Sequence, residues 1–316
     1  MRHADILMPL FLVFTMAGCV MDDIPCDCPG HGPGPVPAEE SYTVRFQYTG
    51  DGTEDLLAEK IEQVELYVFD GNGTAVHSRQ VSGSPLLSDR AVEITLPAGE
   101  EYTAICVGNV FQNTCFSPME GHKPEEIFIS HPYYLNGGDP IPTNDRNYHG
   151  TTALIPEEDN TVVFHSAHIR VYIEVLGYHG YLLRNGIPDN GPLELCMKNL
   201  CPRMFLDGTF CPTKVDYHPL VEMEESAGEK DRHVSRFNIL RLDRNHPAEL
   251  HVYTAEGVEI HTVDINRFLA DNPDVDLARE EAELPMLIDL RGKDVSVGIT
   301  VPDWGIEDVT PDMGGR

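Results

Sequence analysis

Basic residues are scarce in this chain: 22 Lys and Arg stand against 52 Asp and Glu, for a formal net charge of −30 at pH 7. A surface of that sign repels phosphate backbones, which excludes nucleic acid as a partner and favours solubility in a crowded envelope. Tryptophan is scarcer still, with the single residue Trp304, and aromatics make up only 8%. That leaves little material for the exposed aromatic platform on which a sugar-binding rim is usually built. No long apolar run follows residue 19, so no helix there is expected to cross a membrane. The chain has no G-x-S-x-G, H-E-x-x-H, Walker or Rossmann glycine pattern, so no nucleophile, positioned base or cofactor cradle is signalled. Neither an enzyme nor a cofactor nor a metal is expected.

What is present begins at the N-terminus. Arg2 opens a short leader, Ile6 to Ala17 form an apolar run, and Met16-Ala17-Gly18-Cys19 closes it. The run is too short to span a bilayer core of roughly 30 Å. Small residues directly before a cysteine suit a signal peptidase that cleaves once the thiol is acylated. Residues 1–18 are therefore read as a lipoprotein signal peptide, and Cys19 as the lipid attachment site and mature N-terminus. Met16 stands where leucine is usual and Asp5 cancels Arg2, so an ordinary secretory leader is the alternative. Acyl chains bury methylenes at about 0.8 kcal/mol each, so lipid alone can hold a soluble domain on a membrane. Residues 19–40 are rich in Pro and Gly and form a semi-extended tether that keeps the folded part away from the lipid.

About 298 residues follow the leader, and 41% of the chain is hydrophobic, enough for a real core and, at about 150 residues each, for two domains. From Ser41 the pattern is one of short alternating segments between turn residues, the signature of half-buried strands. Tyr42 to Tyr48 is the first. Ile61 to Phe69 and Thr74 to Val81 flank Asp70-Gly71-Asn72-Gly73, where Asn-Gly predicts a type I′ hairpin. Asp70-x-Asn72-Gly73 also resembles the opening of a calcium loop, but the remaining ligand positions and the closing glutamate are missing. Strands at Ala91 to Leu96 and Tyr102 to Val107 complete a first sandwich with no helix. A less regular stretch over residues 113–160, with a short helical turn at Pro124-Glu125-Glu126, is read as the domain junction. Strand rhythm resumes from Thr161 to Leu176 and continues to Val295–Val301, a second antiparallel sandwich. One helix is expected there, Ile265 to Ala270 with Asp264 as N-cap. The expectation is thus an all-β chain with sandwiches at 41–158 and 159–316.

The side chains that might carry chemistry have quieter readings. Cys106 and Cys115 are able to close a disulfide across a hairpin, and Cys196, Cys201 and Cys211 read as a local disulfide or buried small hydrophobes, because their spacing lacks paired C-x2-C knuckles. His165 and His168 point to opposite faces of a strand and cannot share a metal. The carboxylate runs around Glu222–Glu225 and Arg279–Glu283 read as solvated surface, and Trp304 as a core anchor at a sandwich end.

The order of features has a further significance. A lipobox cysteine, the acids Asp22 and Asp23 after it, a Pro-rich tether, the Val64–Gly73 hairpin, Tyr148-His149-Gly150 and a terminal Val-x-Val-x-Ile-x-Val strand running into Trp304 together resemble the fimbrillin-associated anchor lipoproteins of Bacteroidia-type (type V) fimbriae, the FimB-like minor subunits. The resemblance implies two tandem transthyretin-like β-sandwiches, fixed to the outer membrane through Cys19 and exposed at the surface. It also implies a non-enzymatic role: holding a fimbrial (pilus) shaft, limiting its length, and joining shaft subunits by β-strand addition, in which a donated strand satisfies a whole row of unpaired edge groups. On that reading the chain keeps its own first strand near Tyr42 to Tyr48 and turns its C-terminal region, Val295 to Arg316, toward the shaft. A surface lipoprotein that binds glycan or another ligand, and a tip-like accessory subunit, are the alternatives.

Overall fold

A computed structural model describes residues 38–116, 123–131, 143–224, 231–242 and 248–302. The leader, Cys19, nearly all of the tether and Trp304 lie outside the described residues. From Glu39 onward the described residues belong to one compact unit. None of their helices is long and apolar enough to cross a membrane.

The alternating pattern folds as expected into sheets packed face to face, antiparallel except for one parallel pair in each sandwich. The first part of the chain supplies β1 (Glu39–Gln47), α1 (Leu57–Lys60), β2 (Gln63–Asp70), β3 (Ala75–Ser82), α2 (Ser84–Leu87), β4 (Ala91–Pro97), β5 (Tyr102–Gly108), β6 (Cys115–Phe116), β7 (Phe128–Ser130), β8 (Tyr148–Leu154), β9 (Asp159–Val163) and β10 (His165–Ser166). A three-stranded sheet of order β4-β1-β9 faces a five-stranded sheet of order β10-β8-β5-β2-β3. Side chains two apart on each strand fill the space between: Tyr42, Val44 and Phe46 from β1, Val64, Leu66 and Val68 from β2, Ile94 from β4 and Phe164 beyond β9. The turn before β3 is not type I′. Gly73 alone has a positive φ, 78°, and the Asp70 carboxylate accepts from the amides of Asn72 and Thr74 at 3.0 and 2.7 Å. A carboxylate that organises the turn locally lets Asn72 avoid a positive φ, and the pairing slips by a bulge at Val68/Phe69.

The second part supplies β11 (His168–Leu176), α3 (Tyr178–Asn185), β12 (Glu194–Leu200), β13 (Arg203–Phe205), β14 (Val215–Tyr217), β15 (Glu222–Met223), β16 (Arg232–Leu240), β17 (Glu249–Tyr253), β18 (Glu259–Asp264), α4 (Ile265–Asp271), β19 (Glu283–Asp289) and β20 (Ser296–Gly298). The sheets are β15-β16-β11-β19-β20 and β14-β12-β17-β18. Their core is largely aliphatic, with Ile169, Val171, Ile173 and Val175 of β11 against Leu195, Met197, Leu250 and Val252. Asp264 caps α4 as expected, accepting from the amide of Arg267 at 2.9 Å.

Four expectations change. The strand after residue 158, β9, pairs parallel with β1 from Thr43↔Asp159 to Gln47↔Val163 and so joins the sheet of the first strand. Gly150 makes this closure possible: a Cβ there would lie 2.5 Å from the Val163 carbonyl oxygen and 2.7 Å from Val162 Cγ1. Short helices interrupt both sandwiches, α1 and α2 in the first and α3 in the second. The described cysteines are free thiols, with Cys106 buried in the core between the sheets and Cys115 exposed, so no disulfide joins them. Finally, a third small sheet of order β13-β7-β6 is shared by the two halves, since β13 comes from the second and β6 and β7 from the first. It covers the outer face of the first sandwich, where Val107, Ile129, Met204 and Leu240 pack together. That cover explains why Ala104-Ile105-Cys106-Val107 is apolar without alternation: β5 is buried on both faces.

Candidate functional site

For a chain that joins other subunits, the candidate site is its set of strand positions and edges. β1 is the first described strand yet sits in the middle of its sheet. It bonds antiparallel to β4 from Glu39↔Pro97 to Arg45↔Ala91 and parallel to β9 on its other side. Its inward side chains Tyr42, Val44 and Phe46 are at most 2% exposed, each stabilising the fold by roughly 1.5–3 kcal/mol. Aromatic contacts fix them laterally: Tyr42 meets Tyr102 edge-on at 5.7 Å, and Tyr48, just beyond the strand, meets Tyr148 at 4.8 Å.

The opposite end of the chain is built differently. β20 is only three residues long, pairs with β19 from Leu287↔Gly298 to Asp289↔Ser296, and is the last strand of its sheet. No described strand covers its outer edge. The expected strand at 295–301 is therefore shorter than its alternating sequence suggests. Thr300 is held by Glu174, its hydroxyl donating to Oε2 at 2.6 Å, and Val301 beyond it is 89% exposed.

Between these ends lies a joint that the sequence did not reveal. The Arg279–Glu283 segment, expected as solvated surface, carries it. The Tyr48 hydroxyl donates to Glu281 Oε1 at 2.5 Å and the Lys60 ammonium donates to Oε2 at 2.9 Å. Burial, reinforced by the bond to Glu281, drives the Tyr48 hydroxyl far above its ordinary pKa. Burial opposes ionisation of Glu281, but those two donors win and hold its carboxyl below the usual value. Asp51 accepts from the Glu280 and Glu281 amides, Glu280 meets the His165 ring at 2.7 Å, and the Arg241 guanidinium donates to the carbonyls of Ser166, Leu277 and Arg279. The second carboxylate run is likewise engaged, Glu224 pairing with Arg232 and Arg236. His165 and His168 do turn apart: the first reaches Glu280, while the second is enclosed beside Tyr148 and donates from Nδ1 to the Asn147 carbonyl at 3.1 Å. One cluster of metal-ligating type does form among the described residues, from His179, Asp231 and His233. Only the close spacing of Asp231 and His233 at the start of β16 offered a signal in advance.

Solved structures define the class. A candidate adhesin from Bacteroides thetaiotaomicron is similar at 19% identity and TM-score 0.60, covering 84% of this chain and 98% of its own. A candidate adhesin from Bacteroides ovatus is similar at 14% identity and TM-score 0.66, covering 84% and 95%. The fimbrial anchor protein Mfa2 from Porphyromonas gingivalis is similar at 13% identity and TM-score 0.63, covering 83% and 98%. The fold is thus the all-β sandwich fold of such surface proteins. The sequence pattern of the fimbrillin-A associated anchor proteins Mfa1 and Mfa2 matches residues 25–310, and the chain belongs to that family. It is a fimbrial accessory protein of the cell surface, from a family of structural proteins rather than enzymes. No curated protein matches its sequence.

Proposed function

We propose that the chain is a lipid-anchored subunit that fixes a fimbrium to the outer membrane and limits its length. Acylated Cys19 holds the membrane end, residues 19–40 act as the tether, and the C-terminal region from Val295 to Arg316 engages a shaft subunit by β-strand addition. The observation that carries this reading is the placement of β1: a first strand paired on both sides and buried in the core is retained by its own sandwich, so the subunit ends the polymer at its membrane side. The short β20 with its uncovered edge supports a role for the C-terminal segment in pairing. Two variants test the reading. Cys19→Ala should release the protein and its fimbriae into the medium, and deletion of 303–316 should leave a membrane-bound protein without attached fimbriae. If fimbriae remain cell-bound in both, the anchoring reading is wrong. Retention of the purified chain on polysaccharide, with no binding to shaft subunits, would favour a ligand-binding lipoprotein instead.

A further inference from the structure

At the end of the second sandwich remote from the joint, Gly177 turns the chain with a φ of 79° from β11 into α3, and its amide donates to the Asp231 carbonyl at 2.8 Å. That contact sets the first turn of α3 against the start of β16. Asp231, directly before β16, and His233, its second residue, both reach toward His179 in that turn. His179 Nδ1 lies 2.7 Å from Asp231 Oδ1, and His233 Nε2 lies 3.2 Å from the same oxygen. One ligand atom from each residue falls within 4.8 Å of the others. Donors bound to one ion at about 2.0–2.2 Å stand roughly 3 Å apart along the edges of its coordination shell, so this spacing needs little adjustment.

The surroundings match as well. The side chain of His233 is 5% exposed and that of Asp231 23%, whereas that of His179 is 42% exposed. The cluster thus has a buried inner wall and a mouth open to water. Asp231 Oδ2 accepts from the Gly180 amide at 3.3 Å, which fixes the carboxylate. On the far side of the His179 ring, Nε2 faces Asp189 Oδ2 at 3.7 Å. At that distance the carboxylate is an ion-pair neighbour; drawn in to hydrogen-bond reach, it would orient the ring and select the tautomer with its free nitrogen toward a metal. Tyr178 closes the apolar side, its ring 5.3 Å from those of both histidines.

We propose that His179, Asp231 and His233 bind a divalent transition-metal ion of the zinc type, with water completing the coordination and Asp189 acting as the outer carboxylate. Two imidazoles and one carboxylate suit zinc and exclude a dedicated calcium or magnesium site, which takes oxygen ligands. The ion would cross-link α3 to β16 and brace the end of the second sandwich.

The test uses the full chain, solubilised in mild detergent and stripped with a chelator, and titrated with zinc chloride by calorimetry. The parent should bind one equivalent that His179→Gln weakens by about a hundredfold or more, with Asp189→Asn, the outer carboxylate, weakening it by about tenfold. Cobalt substitution separates this site from the free thiols: the parent should give a visible d–d spectrum that lacks the thiolate charge-transfer band, and His179→Gln should lose it. His179 is partly exposed, so the metal-free variant should melt as the parent does, while zinc raises the melting temperature of the parent alone. Equal stoichiometry and affinity in parent and His179→Gln, a cobalt spectrum of thiolate type only, or no binding by the parent would each overturn the proposal.

Discussion

The two sandwiches are built on one plan and differ at their margins. In the first, β4-β1-β9 faces β8-β5-β2-β3; in the second, β16-β11-β19 faces β18-β17-β12-β14. Each opens with a strand that takes the centre of its sheet, antiparallel to one neighbour and parallel to the other. The second then adds strands at both edges of that sheet, β15 beside β16 and β20 beside β19, whereas in the first no described strand lies outside β4 or β9. The comparison teaches that the first described strand is central to its sheet and the last described strand is an appendage. Backbone that sits between two neighbours and an aromatic core cannot leave without unfolding its domain, while backbone on an edge is exchangeable at small cost.

Substitutions should expose that contrast, most strongly at β1. Val44→Asp would place a carboxylate among apolar side chains with no partner and should destabilise the first sandwich by about 4 kcal/mol or more, read as a lowered denaturant midpoint. A midpoint shift of under about 1 kcal/mol would show that β1 is as dispensable as β20.

Acidification should weaken the opening of the second sandwich next. Burial lowers the pKa of His168 from 6.5 to about 4. Between those values the unfolded chain takes up a proton that folded His168 refuses, so stability falls as pH drops through that window, by roughly 3 kcal/mol in full. Denaturant titrations at pH 7 and pH 4 should show a smaller difference for His168→Gln than for the parent.

The joint should respond more modestly. Tyr48→Phe removes one of the donors on Glu281 and should cost about 2 kcal/mol. Because the Glu281 carboxyl is held below its ordinary 4.5, its contribution is present above that pH and is lost as pH falls through the lowered value. The smallest effect belongs to the C-terminal margin: Val301→Asp, on an exposed residue, should change stability by less than about 0.5 kcal/mol. If it nonetheless abolishes fimbrial attachment, the edge serves assembly and not folding.

What the sequence made legible follows the range of the interactions involved. Period-2 alternation is a local property, so the strands of both sandwiches could be read from it, as could the Asp264 cap of α4 and the Asp70 hairpin. Partners distant in the chain could not. Thr43 to Gln47 meet Asp159 to Val163 across more than a hundred residues of chain, a parallel pairing that no local pattern announces. β6, β7 and β13 are two or three residues long, too short to show any period. α3 contains Gly180 and lacks a side-chain cap, so its helical signal was weak. The Arg279–Glu283 run read as solvated because the donors that hold it, Tyr48, Lys60, His165 and Arg241, lie on elements distant in sequence. The lipid site rests on Cys19, outside the described residues, and stays a reading of sequence.

The shared sheet of β6, β7 and β13 has a mechanical meaning. Together with the Glu281 and Arg241 contacts it pins the two sandwiches at separated points, and a body pinned at several points resists bending where one with a single link would swivel. A sideways drag on anything held at the far end would reach the near end as torque, undiminished by a hinge.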